Sequence, residues 1–173
     1  MQIRKYYKLV VLSIVSILFL FATVNIRAEG QRVELRLEGS SSVSEKLVDV
    51  PRDSRYSIRV DYYYDAHNLA SRADLWRAVG GLHMEAPGKA VESGAPFDVQ
   101  VQLIEESSGR QVYKATKKNP KLSSWGEGVL HAEVADLFLK SGRYRLIVRR
   151  DGSAESIRPN SATVTFIKAF YGK

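Results

Sequence analysis

The chain of 173 residues carries 26 Lys and Arg against 19 Asp and Glu, a formal charge of +7, with 45% hydrophobic residues and no cysteine. That length holds one domain, or one domain plus a tail, and the missing thiols exclude disulfides, zinc-thiolate sites, thiol nucleophiles and a lipid-modified cysteine. The positive charge does not mark a nucleic-acid binder, because Arg4, Lys5, Lys8 and Arg27 fall in an acid-free first 28 residues and leave 22 basic against 19 acidic side chains, a net of +3, for the rest.

Residues 1–28 have the layout of a signal peptide: Arg4, Lys5 and Lys8, then an apolar run over 9–24, then Ile26 and Ala28 at the minus-three and minus-one positions of a cleavage site. Retention of the apolar run as an inner-membrane anchor is the alternative reading, with 16 residues where a bilayer needs about 20. Either reading exports residues 29–173 to the periplasm or the cell surface. An exported domain without disulfides must hold itself together with its hydrophobic core, for which about 145 residues suffice.

Residues 32–38 (RVELRLE) alternate charged and aliphatic side chains, so Val33, Leu35 and Leu37 share one face of a half-buried strand. A serine-rich break over 39–44 precedes a short edge segment at 47–50, which Pro51 ends. Residues 56–64 (YSIRVDYYY) read as a central strand with Tyr56, Ile58, Val60, Tyr62 and Tyr64 inward. The period then changes to helical: Ser71 caps a short helix over about 72–79, with Trp76 as a plug into the core, and Gly80-Gly81 ends it. Residues 83–95 read as irregular loop, so 65–95 form a helix-containing insertion.

Strand patterning returns at 97–104 with Phe97, Val99, Val101 and Leu103 inward, and Ser107-Ser108-Gly109 turns the chain into a more polar strand at 110–116. After a polar loop over 117–128, the strand at 129–138 points Leu130, Ala132 and Val134 inward and leaves His131 on its polar side. Gly142 and Tyr144 then form a corner, in which the tyrosine ring tucks under the turn and its hydroxyl bonds backbone there. Tyr144, Leu146 and Val148 face in, and a final strand at 162–170 contributes Val164 and Phe166. About seven strands at near-regular spacing, one inserted helix and the corner tyrosine specify an all-β, immunoglobulin-like antiparallel sandwich, with a barrel as the alternative closure.

The sequence offers little chemistry. His67 with Asp65 and His83 with Glu85 bring two possible metal-ligand pairs to the insertion, but no third element such as H-E-x-x-H fixes them, and the reading assigns no metal and no cofactor. No nucleophile elbow or phosphate-binding glycine loop occurs, and carboxylate pairs such as Glu105-Glu106 flank a turn as solvated charge, so the chain reads as a non-enzyme. Two surface features remain for partner binding. One is a lysine cluster, Lys117 and Lys118 with Lys114 and Lys121, near Trp125. The other is an outward arginine row, Arg143, Arg145 and Arg149 with neighbouring Arg150, which either pairs with carboxylates such as Glu133 or receives an acidic partner.

The order D-L-W-R-A-V-G-G, G-A-P-F-D-V-Q-V-Q-L-I, L-F-L-K-S-G-R-Y-R-L-I-V and T-V-T-F resembles a family of small exported bacterial single-domain β-sandwich proteins of unknown function, over about residues 45–170. The resemblance implies no catalytic residues. The expected function is that of an exported interaction domain binding another protein in the bacterial cell envelope, with no nucleic-acid partner and membrane contact only through an uncleaved N-terminal segment. A periplasmic immunity-type protein that neutralises a toxic effector is the alternative, and a metal-dependent hydrolase using His67 and His83 is the third.

Overall fold

The computed structural model describes residues 30–80, 82–86 and 89–169; the leader and its cleavage site lie outside the described residues. Two antiparallel sheets form a sandwich. One has five strands in the order β1-β11-β3-β9-β8 and the other four in the order β2-β10-β6-β7. In chain order these are β1 (Gln31–Glu34), β2 (Ser41–Val50), β3 (Ser54–Tyr63), β6 (Asp98–Glu105), β7 (Gln111–Lys117), β8 (Ser124–Gly126), β9 (Val129–Leu139), β10 (Gly142–Asp151) and β11 (Ser161–Lys168). The insertion holds the helix α1 (Leu69–Ala78) and a separate hairpin of β4 (Leu82–Ala86) and β5 (Lys89–Glu92).

The all-β sandwich matches the expectation, and its extra strands come from segments whose pattern is weak. The serine-rich stretch is not a break but the first half of β2, a ten-residue strand paired along its whole length with β10. Small hydroxyl residues at an edge leave no hydrophobic alternation to read, and tertiary pairing overrides their low propensity. Residues 83–95, read as loop, include the β4–β5 hairpin, and the loop over 117–128 includes β8. The helix starts earlier than expected. Asn68, not Ser71, is its cap, with Oδ1 accepting from the backbone N–H groups of Ala70 at 3.0 Å and Ser71 at 3.2 Å. It ends at Gly80, whose φ of 75° is in the left-handed region and whose missing Cβ leaves room for the backbone of Gly94. That contact closes the neck of the insertion.

Alternation holds in β3, β6 and the first half of β10, where Ile58, Val60, Tyr62, Val99, Val101, Leu103, Tyr144, Leu146 and Val148 are all buried. Strand β9 departs from it. Its pairing with β3 skips Val134, so the strand bulges there and the inward phase passes to Ala135 and Leu139. The core is closed by Tyr56 stacked on Phe166 at 5.0 Å and Tyr62 tilted against Phe97 at 6.5 Å.

The predicted corner is present: the Tyr144 hydroxyl donates to the Lys140 carbonyl at 2.9 Å, where the chain passes from β9 in one sheet to β10 in the other. The opposite end of β10 holds a correction. Arg150, expected beside the exposed arginines, is fully buried, because it continues the inward phase of Tyr144, Leu146 and Val148. Its guanidinium donates to the carbonyls of Arg36 (2.9 Å), Glu38 (2.8 Å), Gly39 (2.9 Å) and Gly152, and lies 5.9 Å from the Phe97 ring. No carboxylate pairs with it among the described residues. A buried cation is tolerated only when its donors are satisfied, and here backbone dipoles take that role. Because three of the carbonyls belong to the link from β1 to β2, Arg150 also fixes that crossing between the sheets.

Arg150→Met should therefore cost at least about 3 kcal/mol, the loss of several charge-assisted hydrogen bonds with the carbonyls left unpaired, and Arg150→Lys should recover only part, since an ammonium cannot span the fork. Urea unfolding of both variants with wild-type stability would contradict this role. The two core tyrosines should separate as well. Tyr144→Phe should cost about 1 kcal/mol, whereas Tyr62→Phe should be neutral or stabilising, because the buried Tyr62 hydroxyl has no hydrogen-bond partner among the described residues. Equal losses in the two variants would overturn the distinction.

Candidate partner-binding surfaces

The outer faces of the two sheets differ in how completely their charges are satisfied. On the five-stranded sheet, β3, β9 and β11 bring Asp61, His131 and Thr165 together. The Thr165 hydroxyl donates to Asp61 Oδ2 at 2.6 Å, His131 Nδ1 lies 2.7 Å from Oδ1, and Arg59 Nε lies 2.8 Å from the same oxygen. Asp61, His131 and Thr165 are buried, so His131 is not the exposed strand residue the alternation suggested. Alternation correctly sets it on the outer face, but its neighbours there cover it. Beside them the Ser57 hydroxyl donates to Glu133 at 3.2 Å and Arg55 Nε to Asp136 at 3.1 Å. These charges answer one another across the sheet.

Burial pushes the Asp61 carboxyl up, but hydrogen bonds from His131 and Thr165 and the charges of Arg59 and His131 outweigh it and hold the group below its ordinary 3.8.

The four-stranded sheet is different. Its outer face carries Arg143, Arg145 and Arg149 on β10, in register with Asp49, Leu47 and Val43 of β2. On the other flank, Ile104 and Gln100 of β6 lie opposite Arg145 and Arg149. Arg143 is engaged by Asp49 at 3.3 Å and Glu106 at 3.4 Å. Glu133, expected as an arginine partner, belongs to the other sheet. Arg145 and Arg149 are exposed and have no ion pair or hydrogen-bonded side-chain partner among the described residues. Four residues apart on one strand, they stand about 13 Å from each other. Between and beside them are Ile147, the exposed Val43 (52%) and Leu47 (39%), and the exposed Glu45 opposite Ile147, which forms no ion pair with either arginine among the described residues.

The lysine and tryptophan cluster does not assemble as expected. Lys117 is on β7 in the four-stranded sheet and Lys118 follows it, whereas Trp125 is on β8 at the edge of the other sheet. Trp125 is exposed and packs edge-to-face on Trp76 of α1, with ring centroids 5.7 Å apart. Trp76 is half-buried and packs against the core, so it plugs the core only in part, and Leu75 is the buried residue of the helix. The sequence reading missed Leu69, which is 82% exposed, and Arg72, whose guanidinium lies 5.7 Å from the Trp76 ring. The signal was present in the i, i+3, i+4, i+7 spacing of Leu69, Arg72, Ala73 and Trp76. Asp65 Oδ1 accepts the backbone N–H of His67 at 2.9 Å, a local turn, and among the described residues no group of three or more metal-ligating side chains assembles.

A family model described as a domain of unknown function, DUF5625, matches residues 26–168. The chain belongs to the DUF5625 family. No curated protein matches it by sequence. Among solved structures, a protein from Sulfurospirillum deleyianum superposes with a TM-score of 0.64 at 12% identity, over 82% of this chain and 98% of that one. This likeness shows that the DUF5625 sandwich is a shared fold. A Paenibacillus cycloisomaltooligosaccharide glucanotransferase, solved with cycloisomaltoheptaose, matches 82% of this chain and 18% of its own at 11% identity, with a TM-score of 0.28.

Because the folded carboxyl of Asp61 is held low, its contribution to stability is complete above the ordinary value of 3.8 and is lost as pH falls through the folded value. The stability gap between wild type and Asp61→Asn should thus be present at pH 5 and close as pH falls below about 4. Urea midpoints measured across that range test it, and a gap that persists unchanged to the lowest pH would show that the Asp61 charge is not what the network stabilises.

Proposed function

We propose that this protein is an exported, non-enzymatic interaction domain that binds another protein in the bacterial cell envelope through the outer face of its four-stranded sheet. The observation that carries the reading is the pair Arg145 and Arg149, exposed and without ion-pair partners on a face that also exposes Val43 and Leu47. Folding alone does not account for them. On the opposite face Asp136 answers Arg55, while Arg145 and Arg149 stand together without such an answer. Guanidinium groups interleaved with aliphatic side chains are what protein interfaces use, since arginine is enriched among residues that dominate binding energy and its planar fork accepts carboxylates with two hydrogen bonds. The partner thus presents carboxylates spaced to meet both arginines, with apolar groups between them.

A photo-reactive amino acid at Val43, next to Arg149 in register, tests the proposal in the producing cell. One discrete protein adduct is expected at this position and none at Lys168 on the other sheet, and R145E/R149E should suppress the adduct. An adduct of equal yield in the double variant, or no protein adduct at Val43, would remove this face as the binding site.

A further inference from the structure

A second surface, on α1, shows its own recognition geometry. Leu69, Arg72, Ala73 and Trp76 follow one another at i, i+3, i+4 and i+7 and line a depression of about 320 Å³ on the solvent side of the helix. Four residues at this spacing enclose the hole that receives a side chain of a facing helix when two helices interdigitate. Ala73 supplies the floor, and Leu69 and Trp76 the two ends. Leu75 and Val79 bury fully against the sandwich and Trp76 partly, which leaves Leu69 and Ala73 as the exposed apolar part of the stripe. An outward apolar row rimmed by a charge is what an interaction site requires. Trp125, 63% exposed, widens the apolar ground beside Trp76.

We propose that α1 receives an acidic amphipathic helix of a partner protein, with one bulky apolar side chain seated between Leu69, Arg72, Ala73 and Trp76. The lining is mainly apolar, with the Arg72 guanidinium and the Trp76 indole as its polar groups, so an apolar side chain flanked by an acceptor is the occupant that suits it. The i, i+3, i+4, i+7 outline is the one that a knob side chain of a facing helix fills when two helices interdigitate. The charge decides the flank. Arg72 lies over the Trp76 ring and has no ion pair among the described residues, whereas Arg77 is paired with Asp74 at 2.9 Å, so the cation beside the hole selects a carboxylate next to the apolar knob. A second copy of this chain fits poorly, because two-fold packing of α1 through the same stripe sets one Arg72 against the other.

The protein reports on this site directly, because both of its tryptophans, Trp76 and Trp125, lie there. The probe is a synthetic helical peptide with leucines at the a and d heptad positions and glutamates at e and g, compared with the same peptide carrying lysines. The glutamate peptide should shift the tryptophan emission saturably, and the lysine peptide should not. Ala73→Glu fills the hole at an exposed helix position and should weaken binding at least about tenfold, while Arg72→Glu should reverse the preference toward the lysine peptide. R145E/R149E should leave the titration unchanged, which separates this site from the sheet face. No saturable response to the glutamate peptide, equal responses to both peptides, or no reversal in Arg72→Glu would overturn the proposal. So would sedimentation showing a wild-type dimer that Ala73→Glu dissociates, since a second copy would then own the surface.

Discussion

Strand β10 anchors two of the crossings between the sheets, and the burial of Arg150 is the constraint on which the arrangement depends. At its start Tyr144 ties the β9-to-β10 corner through the Lys140 carbonyl. At its end Arg150 gathers carbonyls from the β1-to-β2 link and from Gly152. A cation without a carboxylate partner in a protein interior is costly unless every donor is met, so the link over residues 36–39 can adopt few other paths once Arg150 is in place. The same strand is then free to use its other side for something else. Its outward residues sit on a backbone whose position is set from within.

How far this could be read beforehand varies with the strength of alternation. In β3 and β6, and in β10 as far as Val148, the period of two is strong, and the inward residues were readable one by one. Where the period breaks for a physical reason, it misleads. The bulge at Val134 shifts the phase of β9 without any sequence mark, and β2 pairs in full although its first half is mostly serine. Arg150 is the instructive case. Phase alone points it inward, and only the expectation that arginine is exposed points it out; an arginine that obeys the inward phase next to Gly152 is a signal for a carbonyl cage. His131 failed similarly, because a polar outer position becomes buried when Asp61, Thr165 and Arg59 surround it.

The candidate surfaces were readable in part. Arg143, Arg145 and Arg149 were visible as an outward row, but their sorting needed three dimensions: Asp49 and Glu106 come from different strands to occupy Arg143 and leave the other two. Trp125 was visible as an aromatic near lysines, yet its true neighbour, Trp76, is 49 residues away in sequence and reached it only through the packing of the insertion. Both surfaces share a logic. Each presents apolar groups beside an arginine that forms no ion pair among the described residues.

The central claim is that β10 divides its labour, with the inward side holding the fold and the outward arginines binding a partner. Calorimetric titration of the protein that crosslinks at Val43 into wild type, R145E/R149E and Arg150→Met, each with its urea unfolding curve, tests this most directly. The account predicts that R145E/R149E loses binding with an unchanged unfolding midpoint, while Arg150→Met shifts the midpoint and, in the fraction that stays folded, binds as wild type does. Binding retained by R145E/R149E, or lost in folded Arg150→Met, would contradict it.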